Sequence, residues 1–405
     1  MIIVASDSIP EFEYLWQYVD YWAEIDPDFP ALRFNDQQIS SFELKERSSK
    51  IADVLIHLGV ERADRIVTIL PAAPEYALLL IACNRIGAII VPMDVRYRRA
   101  DFIRLIPKIE PKLIISIVQD DKVSFSEILV KLKDAEKTLQ NVKILFLGDS
   151  IHGQNYFGLE KIVPSRQEEQ DRRMKEQSKT DDLIIVWTGG TTGFPKAAVL
   201  SNHNFVRMCI VENDVIKAGL STRGIFGRIK YLSNLAVSHV GGSVELIGVG
   251  LIGGYELLIH NKWSSTKTLE TIQKESLHVL LAAPTMYRIM MRHKDFDDFD
   301  LSSLKLVVIS GEVVNQEFMD QMKTKFCKTI INGYGSTEMG PEVTFTHPDD
   351  DPATIAKGYV GKPLAGMKIK IIDTDANSLP TNNVGEILVQ GDLVCKGYFR
   401  NPKEN

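Results

Sequence analysis

Apolar residues along this chain gather in short runs rich in β-branched side chains, and the runs recur: Arg65–Leu70, Ala88–Val91, Leu113–Val118, Lys143–Leu147, Leu183–Trp187, Val279–Ala282 and Leu304–Ile309. Several of them, apolar at nearly every position, read as buried strands. Between them the spacing changes to that of one helix face. Ile51, Val54, Leu55 and Leu58 are closed by Gly59, and Phe318, Met319, Met322 and Phe326 follow Asn315. Strand alternating with helix predicts an α/β protein built of βαβ units, its largely parallel sheets covered on both faces.

Near the end the pattern changes. Met367, Ile369 and Ile371 alternate with Lys368 and Lys370, and the turn residues Asp375–Ser378 precede Gly385–Val389. This predicts a small antiparallel, barrel-like β unit. The charged stretch Ser165–Lys179 has no apolar stripe and reads as a solvated helix or linker. The division that follows is a first α/β subdomain over residues 1–175, a second over 176–350 and the small β unit over 351–405.

Composition narrows the function classes. Over 405 residues the net charge is −6, so there is no basic field of the kind a nucleic-acid binder needs. Cys83, Cys209, Cys327 and Cys395 form no C-x-x-C pair, which fits a reducing cytoplasm. No basic region opens the N-terminus, and the longest apolar stretch, Ala77–Val91, is interrupted by Asn84 and Arg85, so neither secretion nor a membrane span is expected.

Two segments carry candidate chemistry. The strand ending at Trp187 runs directly into Thr188-Gly-Gly-Thr-Thr-Gly-Phe-Pro-Lys196. Gly189, Gly190 and Gly193 let backbone N–H groups approach an anion, Thr188, Thr191 and Thr192 add hydroxyls, and Lys196 adds a point charge for phosphate. Phe194 stands where the second glycine of a Walker A loop would fall and Pro195 precedes the lysine, which disfavours an ordinary P-loop ATPase or kinase. The second segment is Ile330-Ile-Asn-Gly-Tyr-Gly-Ser-Thr-Glu338. Tyr334 offers a flat ring to a purine and Glu338, beside a hydroxyl, suits Mg²⁺; a Tyr between glycines is equally often a packed turn residue.

Taken together, the order and separation of these segments resemble the acyl-adenylate-forming superfamily, in particular the N-terminal domain of AMP-forming acyl-CoA synthetases. Further matches are His203, His239–Gly242, Ala283–Thr285, Ser310–Glu312, Gly361–Pro363, Gly385-Glu386, Gly397-Tyr398 and Asn401-Pro402. The resemblance implies an ATP-dependent ligase. A carboxylate attacks the α-phosphate of ATP, pyrophosphate leaves, and a thiol, usually of coenzyme A, captures the acyl group. By position, Thr188–Gly193 and Lys196 would embrace the phosphates, Thr337 would contact phosphate and Glu338 would ligate Mg²⁺. Gly311, Glu312, Asn332, Gly333, Tyr334, Gly335 and Ser336 would line the nucleotide site, and His239, Val240, Gly241 and Gly242 the acid pocket. Amino-acid-activating relatives carry an Asp near the matching histidine, whereas Val237–Gly241 contains no acid, which favours a fatty or aryl acid over an α-amino acid.

The expected partners are therefore the carboxylic acid, ATP and coenzyme A, and a homodimer is compatible with the family. A carrier-protein ligase of the same fold and a lidless nucleotide- or acyl-binding protein are the alternatives. Gly189 replaces the family's serine and Ala197 its glycine, the first change costing on the order of 1 kcal/mol for one lost hydrogen bond. The family's Thr-Gly-Asp motif and its C-terminal lid are not among residues 1–405, so slow turnover by these residues alone is expected.

Overall fold

The computed structural model describes residues 9–120, 123–147, 163–189, 194–221, 223–225 and 227–404. In chain order the strands are β1 (Pro30–Phe34), β2 (Gln37–Ser40), β3 (Arg65–Ile69), β4 (Ile89–Pro92), β5 (Leu113–Ile117), β6 (Gln119–Asp120), β7 (Val123–Ser124), β8 (Lys143–Leu147), β9 (Asp182–Thr188) and β10 (Lys196–Ser201). They continue with β11 (Lys230–Ser233), β12 (Glu256–Ile259), β13 (Val279–Ala282), β14 (Leu306–Ser310), β15 (Ile330–Tyr334), β16 (Thr344–Phe345), β17 (Lys362–Pro363), β18 (Met367–Ile372) and β19 (Glu386–Gly391). All seven apolar runs are strands, displaced by no more than two residues from the sequence reading.

A larger sheet has the order β17-β16-β15-β14-β13-β11-β12-β1-β2, parallel from β15 through β1 and antiparallel at both ends. A smaller sheet runs β10-β9-β4-β3-β5-β8, parallel except for the β9–β10 pair. The late alternating segment forms the two-stranded antiparallel sheet β18–β19. Sheet membership does not follow the divisions drawn at 175 and 350. β1 and β2 join the larger sheet beside β12, while β9 and β10 complete the smaller one beside β4. Sequence pattern marks a strand but not which edge it will extend, and here both sheets receive strands from across the proposed boundary.

One apolar cluster takes in Leu32, Ile66, Ile184, Val279 and Ile331 and so joins both sheets, with a smaller cluster under the helices that flank β13 to β15. The long apolar stretch Ala77–Val91 spans most of the helix Pro74–Ile86 and the start of β4; the helix is buried at every position, which explains why it shows no polar stripe. It ends at Gly87, whose φ of 70° is the left-handed cap expected there. The charged stretch forms the helix Gln167–Glu176 but is not simply solvated. Gln170 is fully buried, donating to Asp53 Oδ1 at 2.6 Å and Ser49 O at 3.0 Å, and so docks this helix on Ser41–His57.

Candidate nucleotide and acid site

The candidate residues lie beyond the carboxyl ends of parallel strands, where open α/β sheets place their ligands. β9 ends at Thr188, which pairs with Lys196 as β10 begins, so the strand register fixes both ends of the phosphate-loop segment. Gly190, Thr191, Thr192 and Gly193 fall outside the described residues. Phe194 is exposed, and the Arg104 guanidinium lies 3.4 Å from its ring centroid.

Residues 395–399 run antiparallel along β10: Lys396 N donates to Val199 O at 2.9 Å, Val199 N to Gly397 O at 2.9 Å and Phe399 N to Ala197 O at 2.8 Å. This ladder sets the Tyr398 ring 5.1 Å from Lys196 Nζ. The Tyr398 hydroxyl donates to Glu338 Oε1 at 2.8 Å, and Cys395 N donates to Glu338 O at 2.8 Å. Burial first, then the adjoining Glu338 carboxylate, push the Tyr398 phenol up and keep it a donor. Lys196 also meets Glu404 at 2.5 Å. The residues singled out for phosphate and cation binding are thus joined through a tyrosine to which the sequence reading assigned no role. Its signal was the Gly397-Tyr398 pair.

The second motif is built by β15. Asn332 is buried, its backbone N donating to Thr346 Oγ1 at 2.8 Å while its side-chain Oδ1 has no partner. Gly333 and Tyr334 follow, Tyr334 half-buried with its carbonyl taking Val343 N at 2.9 Å. At Gly335 a Cβ would sit 1.9 Å from Pro341 O, so only glycine lets the chain double back here. Ser336 precedes the single tight turn Thr337–Met339, which presents Glu338. Gly311, at φ +87°, turns the chain after β14, and Glu312 accepts from Thr285 Oγ1 at 2.9 Å and pairs with Arg288 at 3.1 Å.

The residues expected to line the acid pocket, His239–Gly242, lead into a helical segment, Gly241–Gly248, wound wider than an α-helix and continued by Val249–Gly253. His239 is exposed, whereas Val240, Gly241 and Gly242 are buried. Val237–Gly241 contains no acid, and the fold brings Asp94 alongside it: Asp94 accepts from Ser238 Oγ at 3.1 Å and lies 3.5 Å from His239 Nε2. Asp94 is already occupied by the Arg96 guanidinium, at 2.9 and 2.6 Å. Burial alone would raise its carboxyl; hydrogen bonds from Arg96, His239 and the Arg96 backbone outweigh that and hold it well below the usual range.

Deeper in, Glu212, Glu245 and Glu342 are all buried. Glu342 accepts from the Ser310 hydroxyl through Oε1, but its Oε2, Glu245 Oε1 and both Glu212 oxygens have no hydrogen-bond partner. Burial raises the Glu245 carboxyl to about 7, and burial reinforced by neighbouring carboxylates raises Glu212 and Glu342 further above the ordinary value. Sequence reading passed over these residues, although a lone Glu245 inside the apolar run Val244–Val249 was a visible signal.

The donor set fits Mg²⁺ held jointly with phosphates. Glu338 offers one carboxylate beside the Thr337 hydroxyl, and among the described residues no group of three His, Cys, Asp or Glu side chains could hold an ion alone.

This constellation sits in a sequence whose residues 19–399 match the family model described as AMP-binding enzyme. The chain belongs to that family. Relatives of this AMP-binding enzyme include 4-coumarate--CoA ligase 1 of Petroselinum crispum, 27% identical over 88% of this chain and 63% of the relative. Another is the mitochondrial medium-chain acyl-CoA ligase ACSF2 of Mus musculus, 25% identical over 95% of the chain and 65% of the relative. The chain therefore spans less than two thirds of these relatives' length. Among solved structures, the N-terminal domain of FACL13 from Mycobacterium tuberculosis aligns with a TM-score of 0.77 at 18% identity, covering 97% of this chain and 92% of that one. The anthranilate CoA ligase AuaEII in complex with anthranoyl-AMP aligns at 0.79 and 17% identity, covering 98% and 72%. Both likenesses concern the fold. Among the described residues no helix is long and apolar enough to cross a membrane.

Proposed function

We propose that this AMP-binding enzyme activates a fatty or aryl carboxylic acid to its acyl-adenylate, releasing pyrophosphate, and passes the acyl group to coenzyme A. The observation that carries the reading is the Tyr398 bridge, which brings Lys196 of the phosphate-loop segment and Glu338 of the second motif to one place. In this reading Lys196 moves from Glu404 to the phosphates and stabilises charge on the departing pyrophosphate. Glu338 would hold Mg²⁺, which would supply neutralising positive charge, and Thr337 would contact phosphate. Tyr334 stacks on the adenine, and Gly241 and Gly242, packed without side chains against Leu235 and Ala236, set the segment that walls the acid pocket. His239, oriented by Asp94 and Arg96, faces the carboxylate. Alignment and charge neutralisation are what this reaction needs from the protein, since the attacking oxygen belongs to the substrate.

The test is a panel of fatty, aryl and α-amino acids incubated with ATP, Mg²⁺ and hydroxylamine, with AMP and hydroxamate measured. Fatty or aryl acids should give AMP, α-amino acids little. Tyr334→Ala should weaken ATP binding, and Glu338→Gln Mg²⁺ binding, each by at least several-fold with folding intact. ADP as the nucleotide product, or no effect of either substitution, would sink the assignment.

A further inference from the structure

The carboxylate of Glu338 is aimed by one segment, residues 392–399. Asn204 is buried near the start of the helix Asn202–Ser221, and its Nδ2 donates to Asp392 O at 2.8 Å and Val394 O at 3.0 Å. The ladder along β10 then fixes residues 396–399. So anchored, the segment closes on the turn Thr337–Met339. A Cβ on Gly340, whose φ is +72°, would sit 2.5 Å from Leu393 O, a clash that only glycine avoids. Cys395 N donates to Glu338 O, and the Tyr398 hydroxyl to Glu338 Oε1, both at 2.8 Å. The first two contacts settle the backbone of the turn, but a glutamate on a fixed backbone still rotates about its side-chain bonds. The tyrosine hydroxyl settles the carboxylate.

The kind of donor matters as much as its distance. Asp94 and Glu312 are each matched by a guanidinium, of Arg96 and Arg288, whereas among the described residues no cation pairs with Glu338, and the neighbouring Lys196 is taken by Glu404. A neutral hydroxyl fixes the carboxylate without cancelling its charge, which stays available to a cation. We propose that Tyr398 is a positioning residue for Mg²⁺: its hydroxyl holds Glu338 Oε1 and so keeps the carboxylate in the orientation that takes the ion beside the nucleotide phosphates. This rests on the adenylation site proposed above and adds to it a residue that acts through Glu338. The Tyr398 ring also lies 5.1 Å from Lys196 Nζ, a contact that a phenylalanine ring retains, so Tyr398→Phe removes the hydroxyl bond alone.

ATP with a methylene bridge between its α- and β-phosphates cannot release pyrophosphate, so its binding reports the site without turnover. Calorimetry in excess Mg²⁺, and again in EDTA, gives the gain in affinity that the ion confers on the parent, Tyr398→Phe, Glu338→Gln and the double variant. Tyr398→Phe should reduce that gain by about tenfold, as expected of a group that orients a metal ligand, while affinity in EDTA and Tm stay unchanged. In the Glu338→Gln background the same substitution should change nothing. An undiminished gain in Tyr398→Phe overturns the inference while leaving the adenylation reading intact. So does an equal loss with and without Mg²⁺, which a merely structural role would give, or a loss that persists in the double variant. A parent protein that fails to bind the analogue, or gains nothing from Mg²⁺, overturns the site reading on which the inference rests.

Discussion

Glu75 shows how burial turns a single carboxyl into a pH-dependent strain on the fold. It is 5% exposed, its Oε2 has no partner, and burial raises its carboxyl from 4.5 to about 7. The folded protein then holds a proton that the unfolded chain has released. The stability this confers is full below about pH 4.5 and is lost as pH rises through about 7, at up to about 1.4 kcal/mol per pH unit. Glu75→Gln should therefore show a growing advantage in Tm over the parent as pH rises through that window; parallel curves would contradict the burial argument. His260 works in the opposite direction. Burial lowers it from 6.5 to about 4, so its contribution is lost as pH falls through that range. Glu75 and Glu342 look like ordinary acidic residues in the sequence, because what makes them unusual is burial by segments far away in the chain. The glycine and threonine positions, Lys196, Tyr334 and Glu338 were legible because their chemistry is local: strand, turn and functional group adjoin in sequence.

At the scale of elements, the turn after β15 has the least tolerance. Gly335 faces Pro341 O at a distance that admits no Cβ, and the same turn aims Tyr334 and Glu338. Gly335→Ala forces the backbone apart and should cost about 2 kcal/mol or more, in the range of strong packing clashes. ATP affinity should fall together with Tm; unchanged binding at unchanged Tm would show that the turn does not set the site. Apolar runs buried on both faces made β3, β5 and β13 easy to read in advance. β1 and β2 were harder to read, being short strands of mixed polarity that are strands because they pair with β12 and with each other. The antiparallel unit was readable because Lys368 and Lys370 face outward in strict alternation with apolar partners.

For the whole molecule, the exchange of strands between the two halves of the chain is the controlling feature. Cut at residue 175, the first fragment loses β9 and β10 and exposes the edge of β4, and the second loses β1 and β2 from beside β12. The apolar cluster that spans both sheets is divided as well. Neither fragment should give a cooperative unfolding transition or protected amides alone, whereas mixing the two should restore some of both. Independent folding of each fragment would restore the boundary that the sequence pattern suggested. The same interleaving brings the end of β9 beside the turn that follows β15, so that in the proposed reading the phosphate-loop segment from one sheet and the Tyr334–Glu338 turn from the other would act on a single nucleotide.

That joint action is best tested by following one oxygen atom. In the proposed reaction a carboxylate oxygen bonds to the α-phosphorus as pyrophosphate leaves, and that oxygen stays on the phosphate when a nucleophile takes the acyl group. With an acid labelled in its carboxylate with oxygen-18, ATP, Mg²⁺ and hydroxylamine, mass spectrometry of the released AMP should show one label per molecule. AMP without the label, or ADP in its place, would contradict the account.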